Sequence, residues 1–154
     1  MVHFSTPLSL YSIPVAWFVA LYPTSLKVFL ARSTTGYDNL EPRRTVASLA
    51  DKKNDPAVVA KAARMEAAHM NGNEAFPLWV AGVLAANFAG VDQRALNVLS
   101  LLYIILRNLY NFIYIYQSKP YHATVRTVVW ALSVAVPMYL LFAAAVKLEH
   151  QGHP

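Results

Sequence analysis

Two polar stripes cross otherwise apolar sequence, and their residue types suit the capture of an anion. In LLYIILRNLYNFIYIY at 101–116, Tyr103, Arg107, Tyr110 and Tyr114 fall at i, i+4, i+7 and i+11, one face of a helix. In RMEAAHMNGNEAFPLW at 64–79, Arg64, Asn71 and Glu74 fall at i, i+7 and i+10, again roughly one face. His69 and Asn73 lie in the same segment, just before the charge-free run LWVAGVLAANFAG. An arginine inside an apolar helix is costly and normally faces the protein interior with a partner. Glu74 is the partner this sequence offers to Arg107. Facing stripes of guanidinium, carboxamide, carboxylate and phenol would line a cavity for an anionic ligand rich in hydrogen-bonding groups.

The elements that carry these stripes follow from composition. The chain has 154 residues, enough for one domain over 1–154, and is 56% hydrophobic but only 14% charged. Soluble domains are nearer a quarter charged, so the expected class is an all-α integral membrane protein. Four stretches approach the ~20 mostly apolar residues of a span: 8–31, 71–89, 95–117 and 124–148. The second reads as the end of a longer helix that begins near Pro56, where AVVAKAARMEAAHM is rich in helix formers. Pro14, Pro23 and Pro137 fall inside the spans, which is tolerated when neighbours re-satisfy the freed carbonyls. The first helix is expected to be retained, since its first Lys is Lys27 and a signal peptide starts positive.

The connections are unequal in charge. The first, 32–61, holds Arg32, Arg43, Arg44, Lys52, Lys53 and Lys61 and reads as the one long irregular loop. The third, 118–123, holds Lys119, with Arg126 just beyond it. Basic residues collect on the cytoplasmic side, so the loops 32–61 and 118–123 are expected there and both termini opposite. That distribution explains the +5 net charge without a nucleic-acid partner. Glu74 is ten residues past Arg64, ~15 Å along a helix, and Arg107 is eleven before Ser118, ~16 Å. Antiparallel helices would bring the two to one depth, so a structural ion pair between Glu74 and Arg107 is expected.

Simpler roles exist for several of these residues. Tyr116 and Tyr121 suit interfacial anchors, Asn71 and Asn73 suit glue between helices, and an isolated His69 suits packing. Arg43 and Arg44 are most simply topology charges. No metal site is expected: there is no cysteine, and His3, His122, His150 and His153 are expected in tails or loops without ligand spacing.

Taken together, the motifs resemble the family of membrane-associated proteins in eicosanoid and glutathione metabolism, MAPEG. Arg64 followed by AHMNGNEAFP at 68–77 is similar to the family's Arg, Asn-x-x-Glu and Pro. Arg107, Tyr110 and Tyr114 match its R-x-x-Y-x-x-x-Y spacing, and Arg126-Thr127 stands where it often has Arg-Ser. YDNLEPR at 37–43 resembles a loop of its microbial branches, and the likeness covers about residues 26–130. The resemblance implies an up-down four-helix bundle assembling as a homotrimer, probable seat the endoplasmic reticulum membrane. It further implies glutathione bound between subunits by Asn71, Glu74, Tyr110 and Tyr114, with smaller contributions from Arg32 and His69, and Arg126 as the catalytic residue that holds the thiolate. Glutathione would be the cofactor, and the partners would be a second and third copy, membrane lipid and a hydrophobic or lipid substrate. Two departures stand out: Ala67 replaces an arginine of well-known glutathione-using members, and Trp130 stands near a tyrosine of some.

The function expected from the resemblance is a membrane-bound glutathione transferase, with peroxidase or isomerase activity as variants of the same chemistry. A non-catalytic lipid-binding or scaffold protein is the alternative, since one fold serves both. An ion or proton path through the Glu74 and Arg107 stripe is a third reading.

Overall fold

The computed structural model describes residues 6–34 and 37–152; His3 and His153 lie outside them. All regular structure among the described residues is helical. Four helices are long: α1 (Leu8–Thr34), α3 (Pro56–Phe88), α4 (Gln93–Tyr116) and α5 (Pro120–Gly152). A short α2 (Thr45–Asp51) follows a 3₁₀ turn at Pro42–Arg44. The loop expected to be irregular therefore contains a helical turn and a helix. The reason is burial: Thr45 and Leu49, one turn apart, seat α2 beside Ala31 and Ala62.

The helix limits follow local chemistry. Asp55 caps α3, accepting from Ala57 N at 2.8 Å, with Pro56 in the first turn. Asp92 caps α4, accepting from Ala95 N at 2.8 Å. Between them Gly90 takes φ +70°, and Val91 N returns to the Ala86 carbonyl at 3.0 Å, which closes the end of α3. His122 is in the first turn of α5 rather than in a loop. Its Nδ1 accepts from the backbone N–H groups of Ser118 and Lys119, at 3.0 and 3.3 Å. His150 likewise lies in the last turn of α5.

Successive long helices run in opposite directions, and α3 packs against α1, α4 and α5. At one end Ser9, Asn87, Gln93 and Asn97 form a polar knot: Ser9 N donates to Asn97 Oδ1 at 3.0 Å, and Gln93 Nε2 donates to the same oxygen at 3.1 Å. In the middle, Trp79 stacks on Tyr103 with ring centroids 3.9 Å apart, among Val83, Leu96 and Leu140. The helices approach closely where α3 has no side chain. A Cβ on Gly72 would lie 2.8 Å from Ala20 Cα, and one on Gly82 would lie 3.0 Å from the Pro137 carbonyl.

Among the described residues, three helices are long and apolar enough to cross a membrane: Leu8–Thr34, Gln93–Tyr116 and Pro120–Gln151. Their outer faces expose Phe18, Phe29, Phe112, Tyr139 and Phe142, as apolar solvent requires. The expected second span, 71–89, lies within α3, which is not one of these three; Asn71, Asn73 and Glu74 make its opening turn polar.

Replacing Gly72 by Ala should lower the thermal unfolding midpoint in mild detergent, with a cost of about 1–3 kcal/mol, the usual penalty for overpacking. The new methyl meets Ala20 backbone, which cannot swing aside. Gly90→Asn should cost less, because nothing lies within 4 Å of a Cβ there and Asn tolerates positive φ.

Candidate functional site

The site begins with the compensation of a buried cation. Arg107 is 3% exposed, and its Nη2 donates to Asn71 Oδ1 on α3 at 3.0 Å. The guanidinium carbon lies 4.8 Å from the centre of the Tyr110 ring, one turn further along α4. The expected Glu74–Arg107 ion pair is not formed. Three residues correspond to about −60° round a helix, so Asn71 meets Arg107 while Glu74 turns to an exposed position. The ion pair that does join the long helices is Lys27 Nζ to Glu66 Oε1 at 3.4 Å, between α1 and α3.

Two further polar residues bond to the backbone of α1, and one of them repairs it. Pro23 has no N–H, so the Val19 carbonyl loses its helical donor; Asn111 Nδ2 of α4 supplies one at 2.8 Å. The next carbonyl, Ala20, contacts His69 Nδ1 at 2.7 Å. A carbonyl can only accept, so Nδ1 carries the proton, and His69 Nε2 accepts from Asn73 Nδ2 at 3.1 Å. His69 and Asn73 are thus engaged in fixing α1 against α3. Arg64 has a comparable task, since its Nε donates to the Ile115 carbonyl at 3.1 Å, one of the last carbonyls of α4.

The residues with donors left for a ligand converge beyond Asn71. A cavity of about 150 Å³ is lined by Asn71, Tyr110, Arg126, Thr127 and Trp130. Arg126 reaches it from the second turn of α5. Its guanidinium carbon lies 4.4 Å from the centre of the Tyr114 ring, and its Nη1 donates to Gln117 Oε1 at 2.9 Å. Tyr114 packs edge-on against Tyr110, centroids 5.5 Å apart. The two arginines are therefore linked through two tyrosines, Arg107–Tyr110–Tyr114–Arg126. The environment is cationic and rich in donors, which suits a carboxylate or a thiolate.

Of the residues singled out in the sequence, Asn71, Tyr110 and Arg126 share this cavity, and Tyr114 supports it. Glu74 and His69 do not line it. Arg32, at the end of α1, lies over the Tyr37 ring at 5.5 Å instead. Gln117 escaped the sequence reading although it continues the α4 stripe at i+14, because a polar residue at the end of a span is ordinary there. Two other recesses hold none of these residues. One is an apolar groove of about 370 Å³ between α1 and α4, and the other lies beside α2.

The family model of MAPEG matches residues 10–146, nearly the whole chain. No curated protein and no solved structure matches it.

Asn71→Leu should destabilise the protein by about 1–3 kcal/mol, because the Arg107 guanidinium loses its hydrogen-bond acceptor in a buried setting. Glu74→Gln should leave the thermal midpoint near the parent value. Paired melting curves in detergent check both, and the reverse ranking would restore the Glu74–Arg107 pairing.

Proposed function

The chain belongs to the MAPEG family, and on that premise we propose that it is an integral membrane glutathione transferase acting on hydrophobic electrophiles. The family includes glutathione transferases and related enzymes as well as non-enzymatic members. The observation that carries the catalytic reading is the meeting of Asn71, Tyr110 and Arg126 in one cavity, with Arg126 free of any carboxylate partner among the described residues. A purely structural or lipid-binding protein has no need of an uncompensated guanidinium there.

The fit to glutathione is chemical. The cavity offers a carboxamide, a phenol and a guanidinium to a ligand that carries carboxylates, amides and a thiol. Glutathione would supply the thiol nucleophile, which a chain without cysteine cannot provide. Arg126 would hold the sulfur as thiolate: a nearby guanidinium favours the anion and does not lose its own proton. Tyr110 and Tyr114 would donate or shape around it, and Asn71 would orient the peptide. Glu74, exposed on the single chain, would contact the ligand from a neighbouring copy, as would Arg32. An apolar electrophile entering from lipid would then meet a preformed anion, and attack forms the S–C bond as the leaving group departs. Peroxide or isomerase substrates would use the same thiolate.

A single chain does not enclose such a ligand. The cavity is about 150 Å³, below the roughly 300–1,000 Å³ of small-molecule sites. This supports a homotrimer of membrane four-helix bundles with each site closed by the next subunit. α3 would serve as the fourth span, with Asn71 turned to α4 and the exposed Asn73 and Glu74 shielded by a neighbouring copy. The basic connection 32–61 and the turn 118–123 would face the cytoplasm from the endoplasmic reticulum membrane.

Arg126→Leu should lower turnover about 10²-fold or more and abolish the ultraviolet thiolate absorbance of bound glutathione, while affinity by calorimetry falls less. Arg126→Lys should keep part of both, since a point charge remains. Parent-like turnover in Arg126→Leu would overturn the assignment. Native mass measurement in mild detergent should give a trimer, and a monomer that binds glutathione fully would exclude the shared site.

A further inference from the structure

Resting on that reading of the site, we infer that Gln117 is a positioning residue for Arg126, a neutral clamp that orients the guanidinium toward the thiol-binding cavity without cancelling its charge. Gln117 is the residue at which α4 ends; its backbone has left the helix, at φ −58° and ψ 133°. From there its side chain crosses the short connection and meets α5. The Oε1 atom accepts from Arg126 Nη1 at 2.9 Å, nine residues along the chain.

Two contacts hold the guanidinium, and they restrain different motions. The Tyr114 ring, 4.4 Å from the guanidinium carbon, supports it by cation–π attraction and limits its displacement toward α4. The directional bond from Gln117 limits rotation of the fork. Only one of five N–H donors is used by that bond, and Arg126 also lines the cavity with Asn71, Tyr110, Thr127 and Trp130. A side chain as long as arginine otherwise carries much rotamer freedom. Donors fixed in advance stabilise an anion without reorganisation.

The chemistry of the clamp matters as much as its place. A carboxylate at position 117 would accept the same bond, yet it would pair with Arg126 and oppose a second anion. A carboxamide orients without neutralising. No carboxylate lies within ion-pair distance of Arg126 among the described residues, so no acidic group takes this role from Gln117.

The test uses the full-length protein in detergent or lipid nanodiscs with glutathione as the probe. Thiolate absorbance is titrated against pH, and affinity and turnover are measured alongside. Gln117→Glu should move thiolate formation to higher pH by about one unit, a tenfold loss of thiolate at a fixed pH below the transition. The sign follows from charge: a carboxylate beside Arg126 lowers the positive potential at sulfur and favours the thiol. Gln117→Met, close in size but lacking the acceptor, should lower kcat several-fold with KM for glutathione changed less, because the guanidinium keeps its charge but loses its orientation. Thermal midpoints of both variants should stay near the parent, so a loss of fold cannot imitate the result. If both variants titrate and turn over like the parent, the clamp is refuted while the glutathione site stands. If the parent itself binds no glutathione and shows no thiolate, the site reading falls and the inference with it.

Discussion

Much of the molecule depends on one requirement: the buried guanidinium of Arg107 must be compensated. Its Nη1 is buried without a hydrogen-bond partner among the described residues, while Asn71 accepts from its Nη2 across the α3–α4 contact and Tyr110 adds its ring face. This fixes the rotation of α3. Adjacent residues on a helix point about 100° apart, so once Asn71 addresses α4, Gly72 addresses α1. There the absence of a side chain permits contact with Ala20. Ten residues on, Gly82 meets Pro137 of α5 in the same manner. Two glycines nearly three turns apart thus set the distances of α3 to α1 and α5, and the turn of the first presents Asn71 to the cavity.

A second requirement, set by the α1 backbone around Pro23, accounts for other polar groups at this level. Pro23 interrupts α1, and the carbonyls of Val19 and Ala20 are met by Asn111 and His69. In hydrocarbon no water would replace those donors. Asn73 then fixes the orientation of the His69 ring. What looks in sequence like one polar motif with one purpose divides into two. His69 and Asn73 tie α3 to the backbone of α1, while Asn71 serves both the buried cation and the cavity.

That division marks how far the sequence could be read. Helix existence was legible from hydropathy and caps, and the expected spans 8–31, 95–117 and 124–148 fall within α1, α4 and α5 apart from one residue at the end of the third. α2 was not legible, because seven residues give too short a period and its helicity rests on burying Thr45 and Leu49. The stripe of α4 was legible, since four polar or aromatic residues repeat on one face. The partner of Arg107 was misread for a geometric reason. Spacing along two helices fixes depth, but it leaves open which residue on a broad face touches the neighbour. A 60° difference between Asn71 and Glu74 decided that. The Lys27–Glu66 pair was missed because both residues resemble ordinary charges near a helix end.

The electrostatics of the cavity follow from how the start of α5 is satisfied. A helix N-terminus can itself bind an anion through its free N–H groups. Here His122 Nδ1 already accepts from Ser118 and Lys119, and Pro120 contributes no N–H. The N–H groups of Ser118, Lys119 and His122 are therefore engaged and Pro120 has none, which leaves an anion fewer backbone donors at this turn. The guanidinium at this end of α5 is that of Arg126, set one turn deeper and held by Tyr114 and Gln117; on the proposed function it is this side chain that would hold the negative charge. A side chain can be aimed into a cavity formed with α3 and α4, where a helix end fixed by its own connection cannot. On that reading the cap at His122 and the contact at Gln117 would be complementary: one takes up backbone donors at this turn, and the other would orient the side chain that meets the ligand.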